Sequence, residues 1–286
     1  EDTSRTGTRI EFVPDNEIFN TFDFSSEIFV REKILSRLQN MAFLNPGLRI
    51  TVRDTRKLTP KPVSTNVEGE DVEKETDDAD ESTKSSQPSF SNAIQDKVPE
   101  KEFFKEFYST NGLIDFVKSL NVGKSPIEPN KIISLSNKEK LEMLKMNEDD
   151  KESKGSMKQK KPTRISIAFQ YCNNYYQDTL VSFVNNIATP EGGTHVQGFK
   201  RAITKAINNY VKSRDSKVKD DPFKITDVLE GLTAIISVQV DNPQFEGQTK
   251  SKLGNSDVQP EVYEFVLDEL SKFFQENPAI AGSIQK

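Results

Sequence analysis

A chain of 286 residues with 34% hydrophobic side chains and 29% charged ones has room for one or two cored domains. A mean hydropathy of -0.66 predicts that part of it builds no core, and a net charge of -6 excludes a basic footprint over the whole surface. One cysteine, Cys172, excludes an internal disulfide and fits a reducing compartment; no apolar run approaches a membrane span, and the first residues lack the apolar core of a secretion signal.

Arg5 to Val13 sets Ile10 and Phe12 against Arg9 and Glu11, which predicts a half-buried strand ended by Pro14. A helix follows from Ser26, a good N-cap with Glu27 in the first turn. Its Ile28, Ile34, Leu35, Leu38, Met41 and Ala42 fall on one arc. Asn45-Pro46-Gly47 closes it, and Leu48 to Asp54 alternates as a second strand. From about 57 to 99 the composition turns to Glu, Asp, Ser, Thr, Lys and Pro. Such an acidic insertion buries too little apolar surface to offset ordering its backbone and is expected to be mobile. Phe103 to Tyr108 reads as a returning edge strand, and Gly112 to Leu120 as a short helix with Leu113, Phe116, Val117 and Leu120 on one face. A second charged insertion, about 137–161, is expected to be mobile too. Lys138 to Lys145 is its one locally helical piece, and the short basic end Lys158 to Lys161 reads as a solvated run.

Arg164 to Tyr171 and Asp178 to Val184 both alternate across a short link and predict a hairpin. Asn185 to His195 is a loop, and a helix runs from Gly198 to Tyr210, with Thr194 as a good N-cap and Gly192-Gly193 permitting a tight approach. On that helix Val196, Phe199, Ile203, Ile207 and Tyr210 share one side. Arg201, Lys205 and Lys212 lie nearly opposite, in most proteins an ordinary solvated face. His195 has no Ser or Cys partner at a recognisable spacing and reads as structural. Gly231 to Val240 is an unbroken apolar, β-branched run, the pattern of a strand buried on both faces. It delivers the polar loop Asp241 to Asn255, carrying Gln248, Thr249, Lys250 and Lys252 between Gly247 and Gly254. A solvated positive turn is the ordinary meaning of such a loop; its other use is to bring a long-stemmed ammonium to a phosphate. Val262, Phe265, Val266, Leu270 and Phe273 then predict a core-facing terminal helix stopped at Asn277-Pro278.

Several of these words, in this order, resemble one family. Pro243-Gln-Phe-Glu-Gly-Gln-Thr-Lys-Ser-Lys-Leu253 is similar to the switch loop in the transducer domain of the B subunit of DNA gyrase. Gly7 to Phe19 and Phe43 to Ile50 resemble the last third of its ATPase domain, a fold shared with heat-shock protein 90, histidine kinases and MutL. Phe183 to Ile187 and Glu191-Gly-Gly-Thr-His195 resemble gyrase B and its topoisomerase IV relative, and Lys224 to Leu232 resembles the turn before the family's final transducer strand. The resemblance covers most of residues 5–55 and 103–276. It implies an α/β, two-layer architecture: residues 1–120 end an ATPase sandwich, and residues 121–286, past a hinge at Ser125 to Lys131, form a transducer with a left-handed βαβ crossover.

The implied function is that of an ATP-dependent type II topoisomerase subunit. Gln248 and Lys250 would touch the γ-phosphate of ATP held by the preceding domain, while Thr8 matches a threonine lining the adenine pocket. The family's general base, magnesium-binding Asn, adenine-binding Asp and Gly-rich lid would precede Glu1, so the chain reads as a fragment inactive by itself. Partners implied are double-stranded DNA, approached by Arg201, Lys205 and Lys212, a gyrase A-type subunit and a second gyrase B chain; ATP and Mg2+ are the implied cofactors. Two rivals stand beside this: a topoisomerase IV subunit, and a non-catalytic RNA- or protein-binding α/β module. The compartment would be the bacterial cytoplasm, or an organelle with circular DNA.

Overall fold

The computed structural model describes residues 7–13, 15, 17, 18, 28–54, 103–128, 131–139, 141, 142, 162–173, 176–215 and 217–284. The acidic insertion at 57–99 lies outside them, as do residue 140 and residues 143–161 of the second insertion. In chain order the elements are α1 (Ile28–Leu44), β1 (Ile50–Asp54), β2 (Phe103–Phe107), α2 (Leu113–Leu120), β3 (Ser125–Pro126), β4 (Ile133–Ser136), β5 (Arg164–Asn173) and β6 (Thr179–Val184). Then come β7 (Ile187–Ala188), β8 (Gly192–Gly193), α3 (Thr194–Arg214), α4 (Ile225–Leu229), β9 (Leu232–Gln239), β10 (Phe245–Glu246), β11 (Lys252–Leu253), α5 (Val258–Glu276) and α6 (Pro278–Ile284). The chain divides into two compact units, residues 1–35 with 51–105, and residues 36–50 with 106–286.

In the first unit the guanidinium of Arg31, on the opening turns of α1, lies 4.6 Å from the ring centre of Phe103. The strand expected over Arg5 to Val13 is not formed in its described part. Ile10, Phe12 and Val13 are 81%, 82% and 93% exposed and belong to no regular element. Alternation makes a strand only where a neighbour takes its backbone hydrogen bonds and covers its apolar face, and no described residues pair with this one. Ser26, the expected cap of α1, lies outside the described residues.

The second unit is built on β9. Six of its eight residues are fully buried, because apolar side chains point to both faces of the strand. Such a strand belongs at the centre of a sheet, and the order is β3-β5-β9-β6-β7 with β4 also on β5. This overturns the hairpin expected of β5 and β6. β9 lies between them, antiparallel to β5 and parallel to β6. Alternation records that each strand has two faces and is silent about its neighbour; burying β9 on both edges outweighs the short link. β6, α3 and β9 therefore form a parallel βαβ unit.

Each sheet face has its own cover. On one, Ile165, Ile167, Phe169, Leu232, Ile236 and Val238 pack against Phe199 and Ile203 of α3 and Val262, Val266 and Leu270 of α5. The helices α3 and α5 touch closely at Gly198, where a Cβ would stand 2.6 Å from the Gln259 carbonyl oxygen. On the other face, Ala168, Ile235 and Phe183 meet Phe116 and Val117 of α2, with Phe43 stacked on Phe116 at 4.8 Å. The expected apolar face of Gly112 to Leu120 is thus a face for this sheet. Asn121 ties the segment after α2 to β5, donating to Gln170 Oε1 at 2.9 Å. Asn137 bonds Thr163 and Ile165, and Leu141 is buried, so the first residues of the second insertion, expected to be mobile, are packed against this unit. The terminal helix stops at Asn277 as expected, and Pro278 opens the short α6.

Candidate functional site

β9 ends beneath a clamp that leaves little freedom to the loop beyond. Asn185, in the left-handed conformation at φ 49°, gives its side-chain amide to Val240 O at 2.8 Å and accepts from Val240 N at 2.9 Å. Asn255 closes the loop's base: its Oδ1 accepts from Gln244 N at 2.6 Å and its Nδ2 donates to Asn242 O at 3.1 Å. Between these staples the expected polar loop contains a small hairpin, β10 pairing with β11 through Phe245 with Leu253 and Glu246 with Lys252.

β11 is also held from its other side. Lys252 and Leu253 pair in parallel with Gly192 and Gly193, which lead directly into α3. Only glycine fits at 193: its φ is 133°, and a Cβ there would meet Leu253 O at 2.4 Å. This corrects the capping expectation. Gly193, in a conformation open to glycine, holds the position before α3; Thr194 is already helical, and its Oγ1 is buried without a partner among the described residues. His195 beside it is fully buried with Nε2 3.3 Å from Thr189 Oγ1, and burial pushes its imidazole down to about 4. Its structural reading stands.

The tip, residues 247–250, is exposed and carries Gln248, Thr249 and Lys250 outward. Lys250 sits at φ 55°, which non-glycine residues adopt only when their surroundings hold them there. The two loop lysines have different fates. Lys252 Nζ bonds Glu246 Oε2 at 2.8 Å, and that carboxylate raises its pKa, with Glu191 adding to the effect. Lys250 enters no ion pair among the described residues. The holders Glu191, Ser251 and Asn255 escape sequence reasoning. Ser251 Oγ donates to Glu191 Oε1 at 2.6 Å, and Glu191 N to Ser251 O at 3.1 Å, across 60 positions of sequence.

The other predicted site residues are elsewhere. Thr8 is in the first unit, exposed and outside regular structure. The α3 stripe is largely engaged: Lys212 and Lys205 approach Asp221 at 2.7 and 3.4 Å, and the Lys212 ammonium is the main reason that carboxyl titrates below its usual range. Arg201 is exposed and stacks 5.9 Å above the Tyr263 ring.

The family model for DNA gyrase B matches residues 112–286, more than half of the chain. The chain belongs to the DNA gyrase B family. Its relatives include the DNA gyrase B protein of Mycolicibacterium smegmatis, 36% identical over 99% of this chain and 36% of that protein. The Thermotoga maritima DNA gyrase B protein is 35% identical over 99% of this chain and 34% of its own length. The chain therefore spans about a third of the length of the curated relatives it matches. In fold it is similar to the 43K ATPase domain of Thermus thermophilus gyrase B crystallised with an aminocoumarin, with a TM-score of 0.60 at 24% identity over 95% of this chain and 54% of that one. It is also similar to the topoisomerase IV ATP-binding domain of Francisella tularensis, with a TM-score of 0.55 at 23% identity over 93% and 53% of the two chains. The fold class is thus the mixed α/β architecture of gyrase B, as the resemblance implied.

Proposed function

We propose that this chain is the nucleotide-sensing part of the gyrase B component of an ATP-dependent type II DNA topoisomerase, in which Lys250 is the switch. The observation that carries the reading is the contrast within one hairpin. Lys252 is tied to Glu246, whereas Lys250 stands exposed at a tip whose base is pinned by Asn255 and β8. An exposed ammonium on an anchored hairpin and the neighbouring Gln248 amide fit a terminal phosphate brought against this surface. Phosphoryl transfer is accelerated mainly by positioning and charge stabilisation, so a lysine delivered on closure governs turnover without providing the initial affinity. In this reading Mg2+ comes with the nucleotide. The relatives named above are gyrase proteins, and the reading follows them rather than topoisomerase IV; a gyrase A-type subunit and a second gyrase B chain complete the assembly. DNA would be met by the α3 stripe, in whichever compartment holds it.

The test is steady-state ATPase of Lys250→Ala and Lys252→Ala in the full-length protein, with nucleotide affinity measured separately. A charge-assisted hydrogen bond contributes about 1.5–3 kcal/mol, so Lys250→Ala should slow turnover about ten- to a hundredfold while sparing affinity. Lys252→Ala should cost much less. Wild-type turnover in Lys250→Ala would overturn the reading.

A further inference from the structure

We propose that Glu191 is a positioning residue for Lys250, an inference that rests on the switch reading above. A lysine in the left-handed region stays there only where its surroundings hold it. Ser251 is fixed, and by one residue at two points. The Glu191 carboxylate accepts from Ser251 Oγ at 2.6 Å, and the Glu191 backbone N–H donates to Ser251 O at 3.1 Å. Thr249, on the other side of Lys250, donates to that same Ser251 hydroxyl at 3.3 Å. The three bonds form a short chain from Glu191 through Ser251 to Thr249 that brackets Lys250. Glu191 is itself anchored, because Gly192 and Gly193 after it pair with Lys252 and Leu253.

The consequence is specific. Breaking the Glu191–Ser251 bond leaves the hairpin ends paired, yet it frees the Lys250 backbone to swing its ammonium off target. A misplacement of that kind lowers turnover with little effect on substrate binding. The bond needs an acceptor oxygen at this position rather than a negative charge, which an amide also supplies.

The experiment is an ATPase cycle in the full-length protein: Glu191→Ala, Glu191→Gln, Lys250→Ala and the Glu191→Ala/Lys250→Ala double variant. Thermal unfolding is recorded for each to establish that it is folded. Glu191→Ala should lower kcat roughly tenfold with KM nearly unchanged, and Glu191→Gln should restore most of it. The double variant should be no slower than Lys250→Ala alone, because a residue that acts through Lys250 has nothing to position once that side chain is gone. Wild-type turnover in Glu191→Ala beside a crippled Lys250→Ala would overturn the proposal and leave the switch reading intact. Losses that multiply in the double variant would overturn it too, as would equal losses in Glu191→Ala and Glu191→Gln. Full activity in Lys250→Ala would remove the switch reading, and this inference with it.

Discussion

His195 illustrates how burial redirects a residue whose chemistry invites a catalytic reading. Its ring is enclosed, with Nδ1 unpartnered among the described residues and Nε2 against Thr189. The folded imidazole titrates at about 4 against 6.5 when unperturbed. Above pH 6.5 neither state holds the proton and the residue contributes nothing to the pH dependence. As pH falls through 6.5 the unfolded chain takes up a proton that the folded one refuses, so stability is lost down to about pH 4. The full loss is on the order of 3 kcal/mol. Urea unfolding of wild type and His195→Gln between about pH 7 and 4 should therefore give a flatter profile for the variant. Parallel profiles would remove His195 from the acid lability of this fold.

At the scale of elements, α3 bears on both the core and the site. Its inner face buries Phe199, Ala202 and Ile203, its first residue follows the glycine that supports β11, and Gly198 lets α5 approach. A methyl at 198 would stand 2.6 Å from Gln259 O and 3.1 Å from Val262 Cβ, so backbone rather than a flexible side chain must give way. Gly198→Ala should destabilise the protein by about 1–3 kcal/mol, read as a lowered midpoint in thermal or urea unfolding. An unchanged midpoint would mean that the two helices slide apart freely. The helical spacing and apolar face of α3 were legible from Val196 to Tyr210. That its entrance is a glycine bridge and not a threonine cap was not, since Leu253 lies far along the chain.

For the whole molecule, the acidic balance and the proposed encounter with DNA must be reconciled locally. Asp221 already engages Lys205 and Lys212, so exchanging it for a phosphate gains them little, whereas among the described residues Arg201 is held only by an aromatic face. Arg201→Glu should flatten the salt dependence of DNA-stimulated ATPase in the full-length protein, lowering the log-log slope by about one unit. Lys205→Glu or Lys212→Glu alone should change it less. An unchanged slope in Arg201→Glu would return the stripe to an ordinary solvated face.

What the sequence determined by itself was local. The double-faced burial of β9, the helical arcs of α2, α3 and α5, the stop at Asn277-Pro278 and the polar character of the loop after β9 all follow from side chains within a few positions of one another. Tertiary structure decided the rest: that β9 separates β5 from β6, that Arg9 to Val13 stays out of any strand, and that among the described residues Lys252 is held in an ion pair and Lys250 in none. Hydrophobic period reports which face of an element is buried, but not which element covers it. Strand neighbours, and a contact such as Glu191 with Ser251, are chosen by the packing of the whole unit.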